Sequence, residues 1–352
     1  MTASPPDLTV VIPTLDEGEG LAHLLVQLGQ VRDIVLDVVV SDGGSTDDTV
    51  ALARSHGARV VRGPPGRGQQ LNRGRRAARA PTLLFLHADS RLTTPTQLAD
   101  ALRVFQHAVL RHDGRAAGHF QLCFHDARGP AFTYYEALSA LGRAQTVNGD
   151  QGLLVTASWF DALGGFDPTM AFLEDQDFGA RVWAQGTWVL LPGRLQTSAR
   201  RFLSEGVAER SIHNAVIMAF FHIRNPRSAQ ASVVGYRVQS RSRMLSVGPL
   251  AGAVARLLKA EPELVLPLAQ YVNRHALWRA AFWLDVRAHG PKAAGHHPRL
   301  DAYDRLVAPL MHNALGDACC VGPMLLTAAM VGVTYAAREA RAASTPAGEA
   351  VG

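Results

Sequence analysis

Short apolar segments alternate with helical segments along the first half of the chain, and this alternation constrains the fold more than any other feature. Four runs rich in valine, leucine and isoleucine predict strands: Leu8–Ile12, Asp37–Ser41, Ala58–Val61 and Thr82–His87. Strands that are apolar on both faces are typical of a parallel sheet covered by helices. The segments between them predict helices at Gly18–Val31, Asp47–His56 and Gln69–Ala80. The sequence therefore predicts an α/β fold with a mostly parallel central sheet flanked by helices.

The alternation continues to about Gly193 and then stops. Further strands are predicted at Gly118–Phe124, Gly152–Thr156 and Thr187–Leu191, with helices at Ala131–Arg143, Ser158–Leu163 and Glu174–Gln185. From Arg200 onward the sequence is helical, and a soft boundary is predicted near Gly235. We therefore expect a sheet domain over residues 1–234, a helical extension without an interpretable motif over 235–342, and a disordered tail over 343–352.

Composition narrows the class of protein. The 352 residues are 47% hydrophobic, which is ample for a large core. The net charge is +5, and arginine supplies almost all of the cations. No basic stripe is interleaved with aromatic residues, which argues against a nucleic-acid partner. Cys123, Cys319 and Cys320 have neither metal-site nor paired spacing, as expected in a reducing cytosol. The polar, proline-rich start predicts no signal peptide.

Polar motifs follow the predicted strands, where open α/β sheets bind their ligands. The first turn holds Pro13, Thr14 and Glu17, which would lie beside a nucleotide; alternatively, Thr14 or Asp16 caps the next helix.

The second strand ends at Asp42, and the glycines that follow it, Gly43 and Gly44, let backbone approach a ligand closely. A carboxylate here can accept the ring N–H of a uracil or the hydroxyls of a ribose. Ser45 and Asp48 predict a capping box, which is a structural device.

A glycine-rich turn, Gly66 to Gly74, runs into a basic helix. A helix N-terminus with arginines suits a diphosphate, although no Gly-Lys-Ser/Thr of a P-loop follows.

The fourth strand ends in His87, Ala88 and Asp89. Asp89 can hold Mn²⁺ or Mg²⁺ that bridges two phosphates, because these ions favour oxygen ligands. His87 is either a second ligand or a packed histidine.

Two later motifs complete the set. Asp150 and Gln151 lie between glycines, which predicts either a backbone pinched against a donor sugar or acceptor, or an ordinary turn. Glu174 and Asp175 open a helix, where the helix dipole alone favours acids. A general base must be a carboxylate or histidine near the acceptor, and Asp175 is the first candidate, with Glu174 the second.

The ordered set VVIPTLDE, VVVSDGGSTDDT, GRGQQLNRG, LHADSRL, NGDQG and FLEDQDF resembles the family 2 glycosyltransferases of GT-A fold, and within them the arsenosugar-biosynthesis or radical-SAM-associated subgroup. The resemblance covers about Leu8 to Arg227. Related enzymes glycosylate carotenoid acids or other lipid-like acceptors. One departure matters: the family's metal motif usually begins with Asp, where this chain has His87, and Ser90 replaces a frequent further acid.

The resemblance implies an inverting transfer from a nucleotide-diphosphate sugar, most simply a UDP-sugar, to a hydroxyl or carboxyl acceptor that is lipid-like or related to arsenosugars. By matching motifs, Asp42 would contact the base or ribose, Asp89 the metal, and Asp175 would be the base. The nucleotide or its diphosphate would lie near a further set: Arg67, Gln70 and Asn72.

Rival functions remain open. A nucleotidyltransferase shares a similar sheet but needs a glycine-rich turn where Pro13-Thr14-Leu15 stands. A dehydrogenase would need a G-x-G-x-x-G after a strand, which is missing. A non-catalytic scaffold that binds a nucleotide sugar or docks on a membrane is the rival from another class.

Two apolar segments raise the question of a membrane. Ser211–Ile223 is too short to span and either lies in the interface or packs on the sheet. Ala318–Ala337 is uncharged and long enough to cross, but Pro323 and the following arginines favour a buried or peripherally docked helix. The predicted location is cytoplasmic or peripheral on the cytoplasmic face of the cell membrane.

Overall fold

The computed structural model describes residues 4–223, 247–290 and 297–344. By its internal contacts the chain divides into two compact units, Met1–Ala199 and Arg200–Gly352. The predicted boundary near Gly235 lies outside the described residues, and so does the tail beyond Ser344. The helices that directly follow Ala199 belong to the second unit, not to the sheet domain in which residues 200–234 were placed.

The first unit is built on one seven-stranded sheet. Its strands are β1 (Leu8–Thr14), β2 (Leu36–Asp42), β3 (Arg59–Arg62), β4 (Thr82–Phe85), β5 (Ala116–Phe124), β6 (Leu153–Thr156) and β7 (Thr187–Thr197). Their order across the sheet is β3-β2-β1-β4-β6-β5-β7. All pairings are parallel except those of β6, which is antiparallel to both β4 and β5. The prediction of a mostly parallel sheet is confirmed.

The described part of this unit has seven α-helices: α1 (Gly18–Gly29), α2 (Thr49–Ser55), α3 (Arg67–Ala77), α4 (Gln97–Arg111), α5 (Pro130–Leu138), α6 (Ala157–Ala162) and α7 (Glu174–Gln185). The sequence reasoning located all of them except α4.

The central strands β1, β4 and β6 are buried on both faces, as their continuous apolar sequences predicted, whereas the edge strands β3 and β7 are partly exposed. Val10 and Ile12 of β1 join a core that includes residues of α1 and α4, whereas the intervening Val11 joins a second core that includes residues of α3, α6 and α7. Successive strand residues point to opposite faces, so one apolar strand serves both cores. Each fully buried valine or isoleucine contributes about 1.5–3 kcal/mol.

The turns after β1 and β2 bind each other rather than capping their own helices. The Asp16 N–H donates to Ser45 Oγ over 2.9 Å, and Asp16 Oδ1 accepts the Thr46 N–H over 2.7 Å. The predicted capping box of Ser45 and Asp48 is wrong, because α2 begins at Thr49 and its first N–H bonds to Asp47. Nor does Thr14 or Asp16 cap α1. These polar residues fix the two strand-end turns against one another.

The second unit is helical in its described part. Its helices are α8 (Arg200–Glu205), α9 (Val207–His222), α10 (Val247–Ala260), α11 (Val265–Tyr271), α12 (Leu277–His289), α13 (Pro298–Ala302), α14 (Ala308–Met311) and α15 (Ala314–Ser344). A π-helical turn, Val272–Ala276, joins α11 to α12 and buries Asn273 completely. In α9, which contains most of the segment Ser211–Ile223, Ile217 and Phe220 are buried.

Candidate active site

Three of the predicted motifs converge on Gly149, in the 3₁₀ turn that precedes β6. The Gly149 N–H donates to Asp175 Oδ2 over 2.6 Å. A Cβ atom at this position would lie 3.1 Å from Asp175 Oδ2 and 3.2 Å from His87 Nε2. The strand end after β4, the turn before β6 and the first turn of α7 are therefore adjacent, and a side chain at Gly149 would displace its neighbours by a few tenths of an ångström.

His87 is held by Asp150, the next residue of the same turn. His87 Nδ1 and Asp150 Oδ1 are 2.9 Å apart. Burial alone would lower the pKa of His87, but the hydrogen bond and charge of Asp150 outweigh it and raise the pKa. The sequence placed Asp150 near the donor sugar or acceptor; in the structure its carboxylate orients a ring whose Nε2 faces Gly149.

Arg67, at the start of α3, pairs with both acids of α7. Its Nε donates to Glu174 Oε1, and its Nη2 lies 3.9 Å from Asp175 Oδ1. Burial alone would lower the pKa of Arg67, but the negative charges of Asp175 and Glu174 outweigh burial and raise this pKa. Glu174 is 1% exposed and committed to this pair, so it is a poor candidate for a base. Asp175 keeps some exposure, and a cavity of about 30 Å³, room for roughly one water, lies beside it.

Asp89 is half-buried, and within the described residues it makes no hydrogen bond or ion pair. It lies near enough to His87 for its charge to favour the protonated ring. The described residues contain no cluster of three or more His, Cys, Asp or Glu that would hold a metal by themselves. One free carboxylate still fits Mg²⁺ or Mn²⁺ when substrate phosphates complete the coordination.

Asp42 is fully buried, and its carboxylate is used within the protein. It accepts the N–H groups of Gly44 and Ser45 over 3.1 Å and pairs with Arg62 Nε over 3.1 Å. Burial would raise the pKa of Asp42, but these hydrogen bonds outweigh it and lower the pKa. The structure gives Asp42 a structural task in its own turn and does not bring it to Gly149. The contact with a base or ribose stays a prediction.

Two residues predicted to lie near the nucleotide also use their side-chain amides in hydrogen bonds within the protein. Gln70 Nε2 donates to the carbonyls of Thr14 and Ser41 over 2.8 and 2.9 Å. The Asn72 amide bonds both the N–H and the carbonyl of Phe166. A Cβ at Gly43 would lie 3.0 Å from the Gln70 side chain, so this glycine makes room for a glutamine rather than for a ligand.

The remaining predicted residues lie at the same edge of the sheet with different exposure. Ala88 and Gln151 are buried, and Gln151 Nε2 donates to the Thr146 carbonyl over 2.6 Å. Thr14 is 1% exposed, whereas Pro13 and Glu17 are only partly covered.

Sequence reasoning missed a cluster of arginines at a cavity of about 400 Å³ beside the Asp42 turn. Its cations are Arg62, Arg73 and Arg76, and among the residues that the structure describes no acidic one lines it. Arg73 Nη2 donates to the Asp42 carbonyl over 2.9 Å, and burial and Arg76 together lower the Arg73 pKa. The available signal was Arg62, a cation at the end of β3 on the edge that carries the acidic motifs.

Comparison with known proteins bears on the family and the fold. Residues 9–110 match the model of the family described as Glycosyl transferase family 2. A 54-residue stretch is 44% identical to the 4,4'-diaponeurosporenoate glycosyltransferase of Staphylococcus aureus (strain MRSA252), covering 15% of this chain and 14% of that relative. The chain thus matches only a small part of the relative's length.

Two solved structures have a similar fold. The crystal structure of S. aureus TarS 1-349 has a TM-score of 0.51 at 14% identity, over 85% of this chain and 91% of that one. The same protein in complex with UDP-GlcNAc has a TM-score of 0.51 at 14% identity, over 85% and 92%. Residues 9–110 therefore resemble glycosyl transferase family 2, and the unit that contains them has the GT-A fold.

Proposed function

We propose that this chain is an inverting glycosyltransferase that moves a sugar from a nucleotide-diphosphate sugar to an acceptor hydroxyl or carboxyl. The observation that carries the proposal is the convergence at Gly149 of Asp175 Oδ2 and His87 Nε2, from separate motifs of the family 2 pattern. Carboxylates and histidines within reach of one point are what proton transfer and diphosphate binding need.

Asp175 is the general base. The acceptor oxygen attacks the anomeric carbon, the bond to the diphosphate breaks, and the acceptor proton passes to Asp175. The Gly149 N–H and Arg67 hold the carboxylate in place. Glu174 neutralises Arg67 from the buried side and acts as a positioning residue.

Asp89, with His87 beside it, would hold a divalent metal, which when bound supplies positive charge for the departing diphosphate. The Nδ1 contact of His87 with Asp150 leaves Nε2 as the available ring nitrogen. The arginine-lined cavity beside Asp42 offers further cations for the nucleotide part of the donor.

The donor and acceptor are proposed from weaker support. A UDP-sugar is favoured by the fold shared with a protein solved with UDP-GlcNAc. A carotenoid-like acid as acceptor is suggested by the short match to the diaponeurosporenoate enzyme. An arsenosugar-related acceptor is the alternative, and it would follow if the chain belongs to the arsenosugar-biosynthesis subgroup that its motifs resemble.

The test begins with a thermal-shift panel of nucleotide sugars with Mn²⁺, followed by release of nucleoside diphosphate from the donor that stabilises the chain. Asp175→Asn should lower the release about 10²- to 10⁴-fold, the usual contribution of a positioned base. Asp161→Asn is the matched control, because Asp161 also pairs with an α3 arginine, Arg75, but lies 56% exposed. Equal turnover in Asp175→Asn and wild type would remove Asp175 from its role. Donor binding without any release would favour the scaffold.

A further inference from the structure

The helix α15 is apolar and largely uncovered within its own unit. The span Ala314–Tyr335 has a mean hydropathy of 1.6, and only 11% of its most apolar window is buried. Within its own unit this helix is therefore not the buried one of the two predicted alternatives. Leu326, Met330 and Val333 are 63%, 62% and 71% exposed. Their spacing of four and three residues places them on one stripe of the helix.

The opposite side of α15 is fixed to the rest of the second unit. Asp317, which is 1% exposed, accepts from Asn273 Nδ2 over 2.8 Å and pairs with Arg274 over 3.2 Å. A Cβ at Gly332 would lie 3.3 Å from the Ala251 side chain, so α15 packs closely on α10. The helix is thus docked along one face, and the exposed stripe is a stable surface of the unit.

The exposed stripe of α15 can move from water into hydrocarbon without leaving a threonine hydroxyl unpaired. The hydroxyls of Thr327 and Thr334 donate to the carbonyls four residues earlier, of Pro323 and Met330, over 2.8 Å each. This back-bonding satisfies hydroxyls within the helix itself. Ala318–Ala337 contains no charged residue. Transfer into hydrocarbon therefore gains the burial of large apolar side chains without the cost of an unpaired donor or charge.

We propose that the exposed face of α15 inserts into the hydrocarbon boundary of an anionic lipid membrane, as a docking surface of the second unit. The apolar span is followed directly in the sequence by Arg338, Glu339 and Arg341, whose net positive charge suits anionic headgroups. The α10 side of the helix is already covered by protein, so the helix docks along its length and does not cross alone. A contiguous stripe of this kind is rare on soluble monomers unless something binds it.

The test uses the full chain in flotation with vesicles of phosphatidylcholine and phosphatidylglycerol. Wild type should float, and should float less with phosphatidylcholine alone. The double variant Leu326→Asp/Val333→Asp should lose at least about 10-fold in partitioning, since each charge is costly in hydrocarbon. The matched control is Leu110→Asp on α4 of the first unit, where the leucine is 79% exposed, and it should float as wild type does.

A second readout leaves the stripe unchanged. Cys319 is exposed on α15, seven residues before Leu326 and on the same face. With Cys123 and Cys320 replaced by Ala, an environment-sensitive fluorophore on Cys319 should shift to the blue when anionic vesicles are added. The proposal would be overturned if the probe did not shift or if the double variant floated as wild type does. It would also be overturned if light scattering showed a dimer that does not bind vesicles. None of these outcomes bears on nucleoside diphosphate release.

Discussion

Gln70 gives the sharpest test of the difference between a ligand contact and a structural one. Its side chain is 5% exposed and makes three hydrogen bonds: to the Thr14 and Ser41 carbonyls and from the Gly66 N–H. At about 0.5–1.5 kcal/mol each, their loss in Gln70→Leu would cost roughly 3 kcal/mol. The Thr14 carbonyl keeps the Gly43 N–H as a donor, which reduces the expected loss to about 2 kcal/mol.

A loss of this size should lower the melting temperature by about 4–8 °C in a unit of this length. The measurement is thermal unfolding of the full chain by circular dichroism, paired with nucleotide affinity well below the transition. Gln69→Leu is the control, because Gln69 is exposed and makes one bond, to the Pro168 carbonyl; it should shift the melting temperature little. An unchanged melting temperature together with a large loss of affinity would refute the structural reading and restore Gln70 as a ligand contact.

Three further outcomes are expected. Gly149→Ala should lower kcat about 10-fold while the chain stays folded, because the new methyl displaces Asp175 by a few tenths of an ångström; unchanged steady-state kinetics would contradict this. Asp150→Asn should lower the pKa of His87, followed by NMR titration of the ring, whereas an unmoved pKa would mean that Asp150 does not hold it. Burial would raise the pKa of Asp37, but its guanidinium and hydroxyl partners lower it from 3.8. Its stabilising effect is therefore present above about pH 4 and lost as the pH falls further. The gap in urea midpoint between wild type and Asp37→Asn should close on acidification, and a constant gap would refute the assignment.

Local patterns were sufficient for most of the first unit, because its central strands are short apolar runs and most of its helices begin after a polar turn. The helix α4 was not predicted, although its sequence carries the signal: Leu98, Leu102 and Phe105 recur at helical spacing and are buried. The direction of β6 is different. Its Leu-Leu-Val sequence reads the same in a parallel or an antiparallel strand, so its antiparallel pairing depends on partners that are distant along the chain.

The same distinction explains the site. A pattern of acids at strand ends locates an edge of the sheet, but it does not say which side chains turn toward ligand and which turn into the protein. Asp42 and Gln70 turn inward: Asp42 accepts N–H groups of its own turn, and Gln70 joins the strand ends of β1 and β2. In the proposed function, Asp89 and Asp175 are the acids left for chemistry, because the side chains of Asp42 and Gln70 already bond to the backbone of these turns. Polar residues at this edge of the sheet therefore fall into two groups: those that hydrogen-bond within the protein and those whose side chains stay available to a ligand. Only contacts between residues distant along the chain distinguish the two groups.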